Sequence, residues 1–288
     1  MRKIYIKTII ANLLSFVLLC VVSYSASANL LIMPKRVVIE GSERSASIIL
    51  VNTSKFHTTY LVYWTQKRQM SNGRFMDLPA DNTEVPSASS VLRFSPKKIS
   101  LSPNEKQTVR IVAKRKLGLT SGELRSHLTF QGKPGIDDDR YPFEIGPPIR
   151  SQYYHTFSVP VIVRQGSLDA SAKITSLKLR KLVKEMGNMS YSARITLNGA
   201  GKNTSTGTLK VFWKRKKTSE FRQIGSRSNI TLYPEAASVQ FKVNLGIKNA
   251  SDGFMRVIYE GTEEFKGQTF GTLNTTVKIN DYKFQVDK

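Results

Sequence analysis

Cysteine is nearly absent from this chain of 288 residues, in which Cys20 is the only one. It lies in an apolar N-terminal segment, and Leu19 before it is too large for a usual lipoprotein cleavage site. The chain therefore cannot close a disulfide within itself, and beyond this segment it has no thiol for nucleophilic catalysis. An exported protein of this composition must be held together by hydrophobic cores rather than by cross-links.

Motifs for catalysis and for metal binding are also lacking. The sequence has no Gly-x-Ser-x-Gly and no phosphate-binding loop. Its three histidines, His57, His127 and His155, lie far apart, without the spacing of metal ligands. The acidic run at residues 137–139 lacks the alternating ligands of a calcium loop. We therefore predict no enzymatic activity, no bound metal and no cofactor.

Acidic residues are scarce relative to basic ones. The chain has 21 Asp and Glu against 44 Lys and Arg, and its formal net charge is +23 at pH 7. An exported protein this basic could meet a membrane surface, a polyanion or an acidic protein partner. Basic runs such as residues 214–217 also suit solvated turns and edge strands, where positive charge discourages edge pairing. Nucleic-acid binding would need a recognisable module with stacking aromatics, and the sequence contains none.

The first 28 residues have the three parts of a secretory signal peptide. Arg2 and Lys3 give a positive start, residues 9–22 are largely apolar, and residues 26–28 are small. A single membrane anchor is the alternative, but the strongly apolar run is shorter than the ~20 residues of a spanning helix. We expect cleavage before Asn29, export to the periplasm and no stable membrane insertion afterwards.

Alternation of apolar and polar residues with period two dominates the rest of the chain and indicates strands. No long amphipathic helix is visible. Pro, Gly and Asn separate the β-rich runs at the spacing typical of a β-sandwich. Strands are predicted at residues 36–39, 46–52, 60–64, 92–95, 107–113, 124–131, 172–179, 191–197, 209–213, 238–245 and 254–259.

A long loop and a long extended segment divide the chain. The loop at residues 131–150 is rich in Gly, Pro and Asp, and loops of this length are usually functional or disordered. The longest extended segment follows at 149–164, and Gln165-Gly166-Ser167 has the composition of a linker. The simplest architecture is all-β, with a signal peptide at 1–28 and two sandwich domains at 29–165 and 166–288.

Five segments of the first domain together carry a resemblance to a known family: residues 34–52, 60–64, 94–111, 122–128 and 158–164. They resemble PapD-like periplasmic chaperones of the chaperone/usher pilus pathway, and the 158–164 segment resembles their archaic or non-classical branch. The second domain resembles the family in length, strand count and the turn at 232–234. The resemblance implies two immunoglobulin-like β-sandwiches and binding of pilus subunits by donation of a strand.

The resemblance also implies candidate site residues. Arg36 aligns with the arginine that binds the C-terminal carboxylate of a subunit, and a guanidinium fork matches a carboxylate with two hydrogen bonds. The family's second ligand, a lysine, aligns with Pro160, so Arg164 is the candidate substitute, with Arg150 or another basic residue as alternatives.

The long segment is the candidate donor strand, because its odd positions form a mainly apolar face and a strand containing a proline belongs at a sheet edge. The alternative is that this face only packs into its own domain. The predicted subunit-binding side chains are Ile149, Tyr153, His155, Phe157 and Val159.

The function that follows is a periplasmic chaperone that binds, folds and caps pilus subunits and delivers them to an outer-membrane usher. An exported immunoglobulin-like structural or adhesive protein, which keeps its edge strand for itself, is the alternative. A secreted polyanion-binding protein follows from charge alone.

Overall fold

The computed structural model describes residues 30–79, 81–114, 121–134, 155–183, 189–247, 251–278 and 283–286. The prediction of an all-β protein is confirmed: within these ranges the regular structure is β-strand, apart from a short 3₁₀ turn at Glu263–Phe265. The described residues include no helix long and apolar enough to cross a membrane.

The first group of strands builds two facing sheets. One sheet has the order β1-β3-β8-β6, and the other has the order β2-β10-β9-β4-β5, with β7 also paired to β4. With β3, β4, β6, β8, β9 and β10 as strands B to G, these orders match the A-B-E-D and C-F-G sheets of an immunoglobulin-like sandwich. The strands are β1 (Leu30–Met33), β2 (Val37–Glu40), β3 (Ser45–Asn52), β4 (Thr58–Gln69), β5 (Phe75–Leu78), β6 (Leu92–Ser95), β7 (Lys98–Leu101), β8 (Lys106–Ala113), β9 (Gly122–Pro134) and β10 (His155–Gln165).

The second group of strands builds another pair of sheets, ordered β15-β12-β11-β18 and β14-β13-β16-β17. The chain leaves the first pair at Gln165, turns at Gly166 with φ +86°, and enters the second pair at Ala172. The strands are β11 (Ala172–Val183), β12 (Met189–Gly199), β13 (Ser205–Lys214), β14 (Arg222–Leu232), β15 (Val239–Leu245), β16 (Gly253–Gly261), β17 (Thr269–Val277) and β18 (Lys283–Val286).

Each pair of sheets encloses its own hydrophobic core. Ile48, Leu50 and Phe130 are fully buried in the first core, and Ile195 and Leu209 in the second. These side chains come from strands with period-two alternation, as β8 and β15 show most clearly. Because burying each large aliphatic or aromatic side chain contributes about 1.5–3 kcal/mol, two such cores can hold the chain without disulfides.

Two turns of the second domain contact the first domain. The 3₁₀ turn Glu263–Phe265 between β16 and β17 reaches the ends of β2 and β10. The turn between β14 and β15, which contains Glu235, reaches β4 and β9. The site considered next lies where the first of these turns meets the edge of the first domain.

Candidate functional site

Strand β10 is paired on both sides over only part of its length. It pairs with β9 along its whole length, antiparallel, whereas β2 runs parallel to it only from Val161 to Arg164. Within the described chain, residues 155–160 therefore pair with β9 on one side and lie beyond the pairing with β2 on the other. We call these residues the open edge. Pro160, at the end of the open edge, has no backbone N–H to donate. This arrangement is typical of an edge strand available for another chain.

Part of the predicted donor face of β10 packs into the protein's own core instead. Val159 is 3% exposed and lies in the core of its own domain, and Phe157 is half-buried against that core. The odd positions are apolar because one face of the sandwich must fill its own interior, and a period-two pattern cannot distinguish this role from donation. His155 is exposed, whereas Ile149 and Tyr153 lie outside the described residues.

The opposite face of the same sheet carries exposed apolar side chains. Leu61 and Tyr63 of β4 are 47% and 38% exposed, and Tyr63 lies opposite Thr129 of β9. The Thr129 hydroxyl is 2.9 Å from that of Ser158, which links β9 to β10 on this face. Leu61, Tyr63 and exposed Thr156 form what we call the open face, a surface with large apolar groups beside the open edge.

Arg36, directly before β2, points its guanidinium at the second domain. Its Nη1 donates to the Thr206 hydroxyl at 2.9 Å and to Glu264 Oε1 at 3.0 Å. Its Nη2 donates to Glu264 Oε2 at 2.6 Å and also to Glu263. The Arg36 and Glu264 side chains thus form the two parallel hydrogen bonds that make guanidinium–carboxylate pairs strong. The predicted carboxylate receptor already holds carboxylates of its own chain.

Arg164, near the end of β10, lies beside Arg36 in the same contact. Its side chain is 2% exposed, and its three nitrogens donate to Glu123 at 3.1 Å, to Glu264 at 2.9 Å and to the Thr204 carbonyl at 3.3 Å. It also lies over the Phe265 ring, 5.6 Å from the ring centre. The structure places the two arginines that the sequence singled out side by side, and the surroundings of Arg164 suit a domain link better than an exchangeable ligand site.

Arg36, Arg164, Glu263 and Glu264 form what we call the Arg36 cluster, and its hydrogen bonds favour the charged forms of Arg36 and Glu264. Burial alone would raise the pKa of Glu264, but hydrogen bonds from Arg36 and Arg164 outweigh it, and the pKa lies below its ordinary value. Burial alone would lower the pKa of Arg36, and its hydrogen bonds to Glu264 and Glu263 raise that pKa above its ordinary value. Arg36 and Glu264 are therefore both charged at neutral pH.

A second arginine contact between the domains was not predicted from the sequence. Arg125 of β9 is 3% exposed and donates to Glu235 at 3.2 Å and to the Lys67 carbonyl at 2.9 Å. Its guanidinium stacks on the Tyr233 ring at 3.7 Å, and burial raises the pKa of Tyr233 to about 12. Arg125, Tyr233 and Glu235 form what we call the Arg125 cluster, and the sequence gives no signal that pairs residues so far apart.

Two neutral side chains stand next to the Arg125 cluster. Gln69 donates from Nε2 to the Thr231 carbonyl at 2.9 Å and accepts from the Tyr233 N–H at 3.1 Å. The His127 ring contacts Phe75 and is 3% exposed. Burial, followed by the positive charges of Arg125 and Lys67, lowers the pKa of His127 to about 3, so this ring is neutral in the folded protein.

The histidines do not converge on a metal site in the described part of the chain. His57 and His155 are exposed and His127 is buried, and no group of three or more His, Cys, Asp or Glu is placed there to hold an ion. The acidic run at residues 137–139 lies outside the described residues.

Comparison with known proteins gives similarity at the level of structure. No protein-family model matches the sequence, and a search of curated proteins found no similar chain. The chaperone YadV has 10% identity and a TM-score of 0.43, covering 87% of this chain and 100% of YadV. CsuC–CsuE, a chaperone–tip adhesion subunit complex of archaic chaperone-usher pili from Acinetobacter baumannii, has 13% identity and a TM-score of 0.41, covering 91% of this chain and 100% of the other.

A third similar structure is the CupB2 chaperone of Pseudomonas aeruginosa, with 14% identity and a TM-score of 0.40 over 85% of this chain and 98% of the other. At such identities the similarity concerns the fold alone.

Proposed function

We propose that this protein is a periplasmic chaperone of pilus assembly, which binds subunits by donor-strand complementation and delivers them to an outer-membrane usher. The observation that carries the proposal is the position of the open edge beside the Arg36 cluster. Because Val37 lies opposite Val161 in the parallel pairing, Arg36 stands level with Pro160, where the open edge ends. A strand-pairing surface and a carboxylate receptor therefore adjoin each other.

The open edge suits an incomplete immunoglobulin-like subunit. A subunit strand that pairs with residues 155–160 would cover about 20 Å of backbone at ~3.3 Å per residue. Backbone hydrogen bonds then supply affinity, and side chains entering the subunit fix the register. Since Val159 fills the protein's own core and Phe157 packs against it, the proposed donated side chains are Ile149, Tyr153 and His155.

The Arg36 cluster suits the end of the subunit chain. A C-terminal carboxylate that follows the open edge towards β2 arrives at the Arg36 guanidinium. Arg164 holds the surrounding acidic groups in place from its buried position. In this proposal Arg36 is the direct ligand, and Arg164 is a positioning residue rather than the second ligand that the sequence suggests.

The open face supplies apolar contact area next to the paired strand. Leu61 and Tyr63 would be covered by the body of the bound subunit, which explains why large apolar groups are exposed there. The proposed activity needs no nucleotide, because strand exchange and folding of the subunit provide the free energy.

Co-expression in the periplasm with a candidate small β-rich pilus subunit tests the proposal. We expect a one-to-one complex that keeps the subunit soluble and protease-resistant without ATP. If the subunit is equally soluble and equally resistant without this protein, the chaperone proposal is wrong, and the structural or adhesive alternative takes its place.

A matched pair of substitutions tests the surface used. Leu61→Asp should weaken subunit capture, because a carboxylate would be buried without a partner in the complex. Leu31→Asp is the control, since Leu31 is similarly exposed, at 42% against 47% for Leu61, but belongs to β1 in the opposite sheet. Equal effects of the two substitutions on capture would contradict a role for the open face.

A further inference from the structure

Two carboxylates compete for one nitrogen of Arg36. Glu264 and Glu263 are adjacent in the chain, and both accept hydrogen bonds from Arg36 Nη2. Two like charges aimed at one donor repel each other, and Glu264 alone already forms the paired hydrogen bonds with Nη1 and Nη2. The second carboxylate is therefore not needed to satisfy the guanidinium.

The two carboxylates differ in how firmly they are held. The Glu264 side chain is 17% exposed and bridges Arg36 and Arg164. The Glu263 side chain is 60% exposed, and its recorded ion pair within the described chain is with Arg36. Water and salt screen an exposed charge much more than a buried one, so the contact with Glu263 is the weaker of the two.

The backbone of Glu263 is also in an unfavourable conformation. Its φ is +56°, in the left-handed region that residues with a Cβ atom adopt uncommonly. Glu263 begins the 3₁₀ turn, which still forms its i→i+3 hydrogen bond, from Phe265 N to Thr262 O at 3.1 Å. Strain of this kind persists where the surrounding structure requires it, and it is concentrated at binding sites and switches.

We propose that Glu263 is a placeholder for an external carboxylate at Arg36. When the C-terminal carboxylate of a bound polypeptide arrives, it displaces Glu263 from Nη2, while Glu264 keeps Arg36 and Arg164 in position. This inference rests on the proposed function for the identity of the polypeptide. Its consequence is selectivity: a free carboxylate must compete with Glu263, whereas a chain that also pairs along the open edge has the additional binding energy to displace it.

The test uses a small probe and the full-length mature protein. The probe is N-acetyl-tetra-alanine with a free C-terminal carboxylate, and its C-terminal amide is the matched probe without charge. Binding is followed by NMR of the Arg36 side-chain Nε–H signal, assigned by its loss in Arg36→Gln. We expect Glu263→Gln to tighten binding of the carboxylate probe roughly fivefold, which corresponds to ~1 kcal/mol for an exposed ion pair. The amide probe should show no such gain.

Three controls separate the placeholder from other effects. Glu220→Gln removes the same charge from an exposed residue in the turn between β13 and β14, and it should not change probe affinity. Glu263→Gly also removes the carboxylate, and glycine adopts the left-handed backbone without strain. It should therefore tighten binding as well, even if Glu263→Gln disturbs the turn. In the Arg36→Gln background, where binding is followed by the backbone N–H signal of Val37 instead, Glu263→Gln should have no effect on binding.

The outcomes separate the placeholder from the chaperone function. Equal probe affinity in wild type and in both Glu263 variants would overturn the placeholder, and so would an equal gain from Glu220→Gln. Neither result would affect subunit capture in the co-expression assay. If the Glu263 variants tighten probe binding but no subunit is captured by any variant, the placeholder stands and the chaperone proposal falls.

Discussion

The two arginine clusters that join the domains have the same chemistry but differ in their exposure. Arg125 has a buried ring, a carboxylate and a backbone carbonyl as partners, and its Glu235 side chain is 13% exposed. Arg36 is 11% exposed, yet one of its carboxylates, that of Glu263, is 60% exposed. An arginine enclosed on every side can only hold structure together, whereas an arginine with one exposed anionic partner can exchange it.

The largest expected effect is the loss of Arg125. Arg125→Ala leaves the largely buried Glu235 carboxylate without its counter-ion and leaves a cavity over the Tyr233 ring. We therefore expect the free energy of unfolding to fall by about 3–5 kcal/mol. Urea denaturation followed by circular dichroism measures it. Arg68→Ala is the control, because the Arg68 and Glu84 side chains are 36% and 57% exposed and should contribute less than about 1 kcal/mol. Similar losses of unfolding free energy in both variants would show that enclosed and exposed ion pairs contribute equally to stability.

The second effect is on binding rather than on stability. Arg36→Ala should abolish subunit capture, since hydrogen bonds to charged groups are worth about 1.5–3 kcal/mol and the end of the subunit would lose them. Stability should fall less than in Arg125→Ala, because Arg164 still neutralises Glu264. Capture assays and urea denaturation of the same preparation measure the two quantities. If a folded Arg36→Ala protein captures subunits as well as wild type, Arg36 does not bind the subunit.

The third effect distinguishes the clusters by pH. His127 stands beside Arg125, and its pKa is about 3 in the folded protein against an ordinary 6.5. Between these values the unfolded chain binds a proton that the folded protein does not, so stability falls as the pH drops below 6.5. Between pH 7 and 5 we expect a loss of roughly 1–2 kcal/mol from this group, measured by urea denaturation at each pH.

His127→Gln is the variant that checks this assignment, because a neutral side chain removes the protonation step. Its stability should be flatter between pH 7 and 5 than that of wild type. The Arg36 cluster responds at lower pH: the folded pKa of Glu264 lies below its ordinary 4.5, so its contribution is complete above that pH and is lost as the pH falls through the folded pKa. An unchanged slope in His127→Gln would assign the pH dependence to other groups.

The smallest expected effect is that of Glu263 on stability. Glu263→Gln should change the free energy of unfolding by less than about 1 kcal/mol at low salt, and by less at high salt, because the pair with Arg36 is exposed at the carboxylate end. Thermal unfolding at two salt concentrations measures it. A loss as large as that of Arg125→Ala would show that Glu263 is part of the domain link and is not exchangeable.

The sequence predicted strands with clear alternation and missed strands without it. Residues 238–245 alternate strictly, residues 107–113 alternate except at Val112, and the two segments correspond to β15 and β8. Strand β14 has the sequence RQIGSRSNITL and β17 has TFGTLNTTV, and in both the outward face is so polar that the apolar period is faint. Strand β1 reads as a continuous apolar run, which has no period at all.

The candidate site was predicted in part for a similar reason. Resemblance to a family singled out Arg36 by alignment. Arg164 was only the candidate substitute for a lysine that aligns with Pro160, and the structure places it beside Arg36. Glu263 and Glu264 were missed, since their only local signal is an acidic pair directly after a β-strand. The burial of Val159 was also missed, because alternation shows that one face of a strand is apolar without showing which molecule covers it.

The side chain of Gln69 has a consequence for how the domains respond to their surroundings. Its amide donates to the Thr231 carbonyl and accepts from the Tyr233 N–H, as a backbone peptide group would, and so links β4 to the end of β14. This contact carries no net charge, so ions in solution do not screen it. Concentrated salt should therefore weaken the contact at Glu263 more than the contact at Gln69.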